Sequence, residues 1–496
     1  MLDTIINAVL GLGYWPILSA FAGLVLGVVV GAIPGLTASI AVAILLPLTF
    51  FLPATVGIGF LLGVYKGAVY GGSIPAILIN TPGTPAAAAT SMDGYALTQQ
   101  GKAKKALQMS LLASMFGDLL ATIVLLSVAA PLAALAIKFS APEYAVLFLA
   151  SLVLIGTVSA GDPLKGLISA VAGALIGCVG LDSLTAAQRF VFDVPQLLGG
   201  IPLVPLIVGM FALSEVLMQI SQRRDEAKTA GQREIGTGLT KKLAFRQLPV
   251  LFRSTSIGTF IGALPGLGAE IACWVSYGIA KQRSKEPEKF GKGSLEGVAA
   301  AESSANATVP ATLIPMLVFG IPGDVVTAVL LGAFIAQGIT PGPLLFTVHS
   351  HLVYGLFALL IFTNIALLFV GIAAVRSFSY VVKIPSDLLM PVVVIIAVAG
   401  AYSVGSDPYD VVVMLAGGLL GFLMRRNGVP IPPFIIAVLL APQFEKTLRQ
   451  SLALSNGDFL IFVSRPISAT LVGLFLFSIL IMVGRGVIKR KKLSKI

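Results

Sequence analysis

Two apolar stretches of this chain carry the same helix-breaking phrase where a membrane helix would otherwise run on. Gly27-x3-Gly31-Ala32-Ile33-Pro34-Gly35-Leu36 recurs 231 residues later as Gly258-x3-Gly262-Ala263-Leu264-Pro265-Gly266-Leu267. The likeness continues through Ala38, Ile40 and Ala41 against Ala269, Ile271 and Ala272. Proline removes a helix hydrogen bond and glycine relaxes the backbone, so each phrase interrupts its helix. In hydrocarbon the freed peptide groups are costly unless protein or a water-lined cavity satisfies them. Such interruptions, matched between two halves of a chain, point to the binding site of a secondary transporter.

Composition narrows the class further. Of 496 residues, 57% are hydrophobic and 11% charged, and the mean hydropathy is +0.97. A soluble domain carries roughly twice that charge, so the chain reads as a polytopic membrane protein whose first partner is the lipid bilayer. Lys and Arg number 33 against 22 Asp and Glu. The basic residues sit in short loops and in the C-terminal run Lys489, Arg490, Lys491, Lys492 and Lys495, the pattern of cytoplasmic flanks and not of a nucleic-acid surface. Cys178 and Cys273 lie among apolar neighbours and are too few for a disulfide framework or a four-cysteine metal site. Met1-Leu2-Asp3 lacks the basic start of a cleaved signal peptide, so the first helices are expected to be retained.

Two further phrases recur in the same order. Ile74-Pro75 followed by Pro82-Gly83 matches Ile314-Pro315 followed by Pro322-Gly323, at an offset of 240. Gly200-Ile201-Pro202-x2-Pro205 matches Gly428-Val429-Pro430-x2-Pro433, at an offset of 228. Asp162-Pro163 and Asp407-Pro408 form a weaker fourth pair. Three echoes in one order indicate duplication. The expected organisation is a first membrane repeat at 1–220, a cytoplasmic linker at 221–253, a second repeat at 254–445, and a C-terminal transmembrane helix with a basic tail at 446–496.

Positive charge sets the relative orientation of the repeats. The stretch Phe51–Tyr65 has no Lys or Arg, whereas its counterpart carries Lys281, Arg283, Lys285, Lys289 and Lys292. Lys102, Lys104 and Lys105 follow the second phrase in the first half, and Gln337–Ser350 has none. Lys165 faces an acidic Ser403–Asp410, and one Arg189 faces Arg425 and Arg426. The sign alternates loop by loop, as inverted repeats require. The fold class expected is therefore an all-α polytopic membrane protein of two inverted structural repeats with re-entrant or broken helices, plus a C-terminal transmembrane helix. The N-terminus is placed outside. The linker, with Arg223, Arg224, Lys241, Lys242 and Arg246, is placed inside with the tail.

Segments 254–264 and 268–280 are too short to span and read as a hairpin with its tip at Pro265-Gly266-Leu267-Gly268. Its first-half copy, 17–33 and 37–52, would enter from the opposite face. Continuous helices are expected near 106–137, 143–160, 164–180, 200–220, 349–373, 386–402, 409–424 and 467–486.

At each tip a helix restarts after Pro-Gly, and its free N–H groups suit a carboxylate. Candidate substrate contacts are Pro34, Gly35, Leu36, Thr37 and Ser39 at the first tip, and Pro265, Gly266 and Gly268 at the second. Thr37 and Ser39 either contact the substrate or serve only as helix caps. The second phrase adds Ser73, Asn80, Thr81, Pro82, Gly83 and Thr84, with Pro322 and Gly323 opposite. Lys66, inside an apolar run, either draws an anionic substrate or snorkels to the interface. Glu270, Glu302, Ser304, Asn306, Asp324 and Asp118 are candidates for the coupling ion, since a charge inside the membrane marks a site by default. His349 and His351 have no ligand-spaced companions, so no metal centre is expected beyond a possible Na+. The chain has no G-x4-G-K-[ST] phosphate loop, no cofactor is expected, and no nucleophile–base constellation suggests an enzyme.

These phrases resemble the large membrane subunit of the tripartite tricarboxylate transporter family. The likeness rests on Gly31–Leu36, Tyr70-Gly71-Gly72-Ser73 with Asn80-Thr81-Pro82-Gly83, and Met92-Asp93-Gly94-Tyr95. It continues in Gly262–Leu267, Phe290–Ala299, Gly320–Gly323 and Thr340-Pro341-Gly342-Pro343, and so covers nearly the whole chain. The resemblance implies a bacterial inner-membrane carrier working with a small membrane subunit and a periplasmic solute-binding protein. It would import an organic carboxylate on a sodium or proton gradient. Thr84 stands where an acid is expected after the first Pro-Gly, while Asp324 follows the second and Glu270 sits on the hairpin, which puts citrate itself in doubt. The rival readings are a single-component carboxylate symporter, a passive channel and a membrane-embedded enzyme.

Overall fold

The computed structural model describes residue 7 and residues 11–158, 162–182, 184–221, 238–381 and 386–476. The start of the chain, Arg223 and Arg224 of the linker, Ser159 and Ala160, and the span expected near 467–486 beyond residue 476 lie outside the described residues, as does the basic tail. The remaining chain is helical almost throughout, with one two-residue antiparallel pairing, Gly180–Leu181 with Gln188–Arg189. Seven described helical stretches are long and apolar enough to cross a bilayer, by length and composition: 14–31, 54–79, 103–136, 203–221, 350–376, 408–426 and 431–454.

The chain divides into two compact units, 1–133 with 201–432, and 134–200 with 433–496. In the first unit, α1 (Tyr14–Gly31) and α2 (Ala38–Leu45) flank the first Pro-Gly, and α3 (Ala54–Gly71), α4 (Ser73–Ile79) and α5 (Ala88–Gln99) carry the second phrase. Helix α6 (Ala103–Ala136) follows and runs past the unit's boundary. Helices α7 (Ala141–Val158) and α8 (Pro163–Gly177) belong to the second unit. The first unit resumes with α9 (Leu203–Val208) and α10 (Ser214–Ser221), joined through a π-helical turn at Gly209–Leu213 within the stretch expected to be continuous. Helices α11 (Leu248–Gly262) and α12 (Gly268–Arg283) form the second tip, and α13 (Leu295–Phe319) and α14 (Val325–Ala336) the second copy of the second phrase. They are followed by α15 (Ser350–Val381), α16 (Ser386–Gly405) and α17 (Pro408–Arg426), before α18 (Ile431–Leu454) leads into the second unit.

Two expectations are refined by these bounds. The 15 residues of α11 and 16 of α12 are short for a span, whereas the first arm of the other tip, at 18 residues, reaches spanning length by composition. Pro310 and Pro315 lie inside α13, which breaks only at Gly320, while the first-half helix already breaks at Gly72. Asp162 and Asp407, the weak fourth pair, are both N-caps whose carboxylates accept the N–H two residues on, at 3.0 and 2.8 Å.

Glycine sets how closely the first-unit helices approach. A Cβ on Gly27 or Gly31 of α1 would strike the backbone of Val64 or Ala68 in α3, and one on Gly63, Gly67 or Gly71 would strike α1 in return. In the second half a Cβ on Gly258 or Gly262 of α11 would strike Ser304 or Thr308 of α13. The partners correspond at the offsets of the repeated phrases: 27 to 258 and 31 to 262, 64 to 304 and 68 to 308. Without a hydrophobic drive between helices in lipid, such small-residue contacts are what holds them together.

In the second unit, Gly173 and Gly177 bring α8 against the backbone of Phe434 and Val438 in α18. The loop after α8 is tied down by charge. Asp182 pairs with Arg189 and with Arg449 (2.8 Å), and Glu445 takes Arg189 (2.7 Å). The N–H groups of Thr185 and Leu184, with the Thr185 hydroxyl and Arg189, hold the Asp182 carboxyl well below the usual carboxylate range.

Two outcomes follow from this packing. Gly27→Ala should lower the melting temperature of the detergent-solubilised protein through about 1–3 kcal/mol of overpacking. Gly278→Ala, where nothing lies within reach of an added Cβ, should be neutral or stabilise the helix by up to about 1 kcal/mol. The depressed Asp182 contributes stability that is full above the ordinary carboxylate pKa and declines as pH falls through it toward the folded value. The protection factors of the amides at 180–182 and 184–189, each taken against the intrinsic rate at that pH, should therefore be high at neutral pH and fall on acidification; factors that rise instead would exclude this linkage.

Candidate functional site

The two tips have the same local build. Gly35 and Gly266 adopt positive φ, +95° and +84°, at the turn between the helices. At the first tip Thr37 caps α2, accepting the Ile40 N–H at 3.4 Å, and its hydroxyl lies 2.9 Å from that of Ser39. The capping role is therefore real but weak, and both residues remain partly exposed. At the second tip α12 starts at Gly268, with Glu270 exposed in its first turn.

The two later breaks also correspond. Helix α4 ends at Asn80 and α13 at Gly320, both left-handed, with φ +57° and +70°. Beyond each, an N–H returns to the proline carbonyl of the preceding turn, Thr81 to Pro75 (3.3 Å) and Ile321 to Pro315 (3.2 Å). A Cβ on Gly83 would strike the Gly31 carbonyl and Gly72, and one on Gly323 would strike Thr312. Only glycine lets these turns lie so flat on their neighbours.

Tips and breaks gather in one place. The Gly266 N–H donates to the Gly323 carbonyl (2.7 Å), and Gly268 lies against Asp324. Across the halves, α2 packs on α14, and the Pro85–Ala87 turn packs on α12. Pro34–Ser39, Asn80–Thr84, Pro265–Glu270 and Gly320–Asp324 thus form one cluster. Its two sides differ. Asp324 caps α14 in a reciprocal capping box with Thr327 and accepts the Tyr65 hydroxyl at 2.6 Å. With Glu270 it makes the second-half side acidic, while the first-half side offers Thr37, Ser39, Thr81 and the buried Thr84, whose hydroxyl pairs with no protein group.

Lys66 does neither of the things its position suggested. It is 2% exposed, so it does not snorkel, and its ammonium is committed to Asp118 (2.6 Å) and to the Leu360 carbonyl (2.6 Å). Asn364 also donates to Asp118 at 2.6 Å. Asp118 and Lys66 are thereby joined in a structural pair linking α3, α6 and α15, and Lys66 brings no free charge to a substrate. Ser73 is likewise internal, bonded to Ser110 at 2.7 Å and to the Tyr70 carbonyl.

Glu302 is buried within α13 and accepts Thr90 (2.5 Å) and Ser114 (3.0 Å). Asn306, one turn on, donates to Ser114 (2.9 Å) and to the Glu302 carbonyl. The hydroxyl of Ser304 is buried and pairs with no protein group. Among the described residues no three His, Cys, Asp or Glu side chains gather to hold a metal ion.

Sequence reasoning passed over several partners. Tyr65, Thr90, Ser114 and Asn364 are ordinary residues on helices, and nothing in their spacing says that they face an acid on another helix. Asp93 stood in a quoted phrase without a role. It is fully buried, and one carboxylate oxygen accepts the N–H groups of Gly291, Gly293 and Ser294 (2.8–2.9 Å) while the other accepts the Tyr277 hydroxyl (2.9 Å). It clamps the Phe290–Ala299 phrase of one half onto the Met92–Tyr95 phrase of the other.

The profile of the tripartite tricarboxylate transporter TctA family matches residues 17–436. The chain belongs to that family. An uncharacterized 52.8 kDa protein in the TAR-I ttuC' 3' region of Agrobacterium vitis is 38% identical over 489 residues, covering 97% of this chain and 96% of the relative. An uncharacterized protein in the TAR-II ttuC' 3' region of the same organism is 38% identical over 224 residues, 45% of this chain and 93% of the relative. No solved structure matches. As a TctA-family protein the chain is a membrane transporter component, and that family works in tripartite transporters with a small membrane subunit and a binding protein.

The Lys66–Asp118 pair gives a direct test of its structural role. Lys66→Met or Asp118→Asn alone leaves a lone buried charge and should cost about 3–5 kcal/mol in thermal stability. The double variant should recover most of that loss, and additive losses would show that the pair is not coupled.

Proposed function

We propose that this chain is the large transmembrane subunit of a binding-protein-dependent secondary transporter of the bacterial inner membrane. In this reading it imports an organic di- or tricarboxylate on a Na+ or H+ gradient, with a small membrane subunit and a periplasmic solute-binding protein. The observation that carries it is the gathering of two Pro-Gly tips and two Pro-Gly breaks into one cluster. Matched broken helices place substrate and ion between the halves of such carriers. The recurrence of the α1–α3 contacts in α11–α13 at the repeat offsets supports the inverted-repeat architecture.

The cluster's asymmetry suggests how its sides divide the work. Helix α14 has its N-terminus filled by its own Asp324, and α12 carries Glu270 in its first turn. Both repel an anion. Helix α2 begins with Thr37 and Ser39 and has no acid in its first turn, so its N–H groups and hydroxyls favour a substrate carboxylate. The substrate then lies on the first-half side with Thr37, Ser39 and Asn80–Thr84, and an acid of the second half serves the ion. Alternating access moves one cluster of tip and break against the remaining scaffold.

Uptake of labelled citrate and other di- and tricarboxylates into proteoliposomes, under an imposed Na+ or H+ gradient, tests the proposal. Saturable uptake only with the small subunit and binding protein present is the expected result. Equal uptake by this chain alone would replace it with a single-component symporter, and non-saturable flux with a channel. Thr37→Ala with Ser39→Ala should raise the substrate concentration for half-maximal uptake, each lost bond to the anion weakening binding by about 1–3 kcal/mol.

A further inference from the structure

The buried acids of this chain fall into two groups by what holds them. Asp93 has three backbone N–H groups and a phenol, Asp118 has Lys66, Glu143 has Arg465 (2.7 Å), and Asp182 has two arginines. Asp410 accepts the Gly405 N–H (2.9 Å). Among the described residues Glu302 is the buried acid held by hydroxyls alone, Thr90 and Ser114, with neither a cation nor an amide N–H on its carboxylate. Hydroxyls are the partners that suit both states of a carboxyl group, since each can donate to the anion or accept from the acid. An amide or a cation fixes the anion.

We propose that Glu302 is the group that takes up and releases a coupling proton, so that the ion driving this carrier is H+. The proposal rests on the reading of the chain as a gradient-driven carrier and names the ion and the residue. A sodium site in such a fold draws carbonyl oxygens from unwound helix ends. Glu302 instead sits inside α13, which runs unbroken from Leu295 to Phe319 with its carbonyls engaged in the helix.

Proton binding is accommodated locally. In the ionised state Asn306 donates to Ser114, and Ser114 donates to Glu302. When a proton binds the carboxylate, the new O–H donates to Ser114. That oxygen has lone pairs for both Asn306 and Glu302, and its own hydrogen turns to the helix carbonyl one turn back. The phenol of Tyr70, fully buried and paired with no protein group, lies within electrostatic reach of Glu302.

Apart from Tyr70, the surrounding ionisable groups are bonded to other partners, exposed or beside other charges. On α3, Tyr65 is bound to Asp324 and Lys66 to Asp118. On α5, Asp93 is saturated. On α12, Tyr277 is bound to Asp93, Cys273 donates to the Glu270 carbonyl, and Glu270 is exposed. Arg253 of α11 has Arg283 and Glu296 as its charged neighbours, and α14 carries no ionisable side chain.

Two readouts test this on the full chain reconstituted with its partner subunits. Infrared titration should show a protonated-carboxyl C=O band that appears as pH falls and is lost in Glu302→Gln; the same band in wild type and variant would overturn the proposal. In proteoliposomes Glu302→Gln should lose pH-gradient-driven accumulation of labelled carboxylate yet keep substrate counterflow, with Glu302→Asp restoring part of the accumulation. Accumulation by Glu302→Gln under a pH gradient, or a strict Na+ requirement in wild type, would also overturn it. Were Glu302→Gln not to fold, Thr90→Val and Ser114→Ala should each shift the pH profile of accumulation, and an unmoved profile would count against the assignment. Absence of any carboxylate transport by wild type would instead overturn the carrier reading, while the infrared result would still decide whether Glu302 binds the proton.

Discussion

Backbone-to-backbone contact between helices, possible only where side chains are absent, governs this structure. Gly27 and Gly31 against Val64 and Ala68, and Gly258 and Gly262 against Ser304 and Thr308, fix how each tip lies on the helix of the second phrase. From that one contact the remaining geometry follows. It places Gly83 on the Gly31 carbonyl and Gly266 on the Gly323 carbonyl, so each tip meets its own half's break. In lipid, where burial of apolar surface does not distinguish a helix from a neighbouring acyl chain, close packing and satisfied peptide groups are what select one arrangement.

The halves then interleave. The cavity of about 360 Å3 behind the first tip, lined by Val25, Val28, Val29, Ala32 and Ile74, is covered by α15 of the second half. Its counterpart of about 430 Å3, lined by Ser256, Thr259, Phe260, Ala263 and Ile314, is covered by α6 of the first. The lining positions match at the repeat offsets, 25 to 256, 28 to 259, 29 to 260, 32 to 263 and 74 to 314. Each half's tip therefore rests on the other half's long helix, and the Lys66–Asp118–Asn364 group and the Asp93 clamp sit where the halves cross.

Charge is sorted by the kind of partner it meets. Asp93 is met by amides and a phenol, Asp118 by a cation and an amide side chain, and Asp324 by the Thr327 N–H and the Tyr65 hydroxyl. Glu302 is met only by hydroxyls, and Glu270 faces open space beside Asp324. Removing water makes every such choice consequential, because an unmatched charge in a low-dielectric interior costs several kcal/mol.

The repeated phrases made the broken helices legible in the sequence, because Pro-Gly inside an apolar run has few structural outcomes: the tips at Gly35 and Gly266 and the breaks at Asn80 and Gly320 fall where residue chemistry demands left-handed or unpaired backbone. Hydropathy likewise disclosed the long apolar helices, and the combined phrases disclosed the family. The pairing of acids was not legible. Lys66 reads from sequence as a free cation, and only the approach of α6 and α15 shows it neutralised; Glu302, Asp118 and Asp324 read alike until Thr90, Lys66 and Tyr65 are placed beside them. Local backbone constraints are written in neighbouring residues, so the chain itself determined where its helices break. Which side chain meets a buried charge depends on residues up to 322 positions away, as for Glu143 and Arg465, and that only the tertiary structure decided.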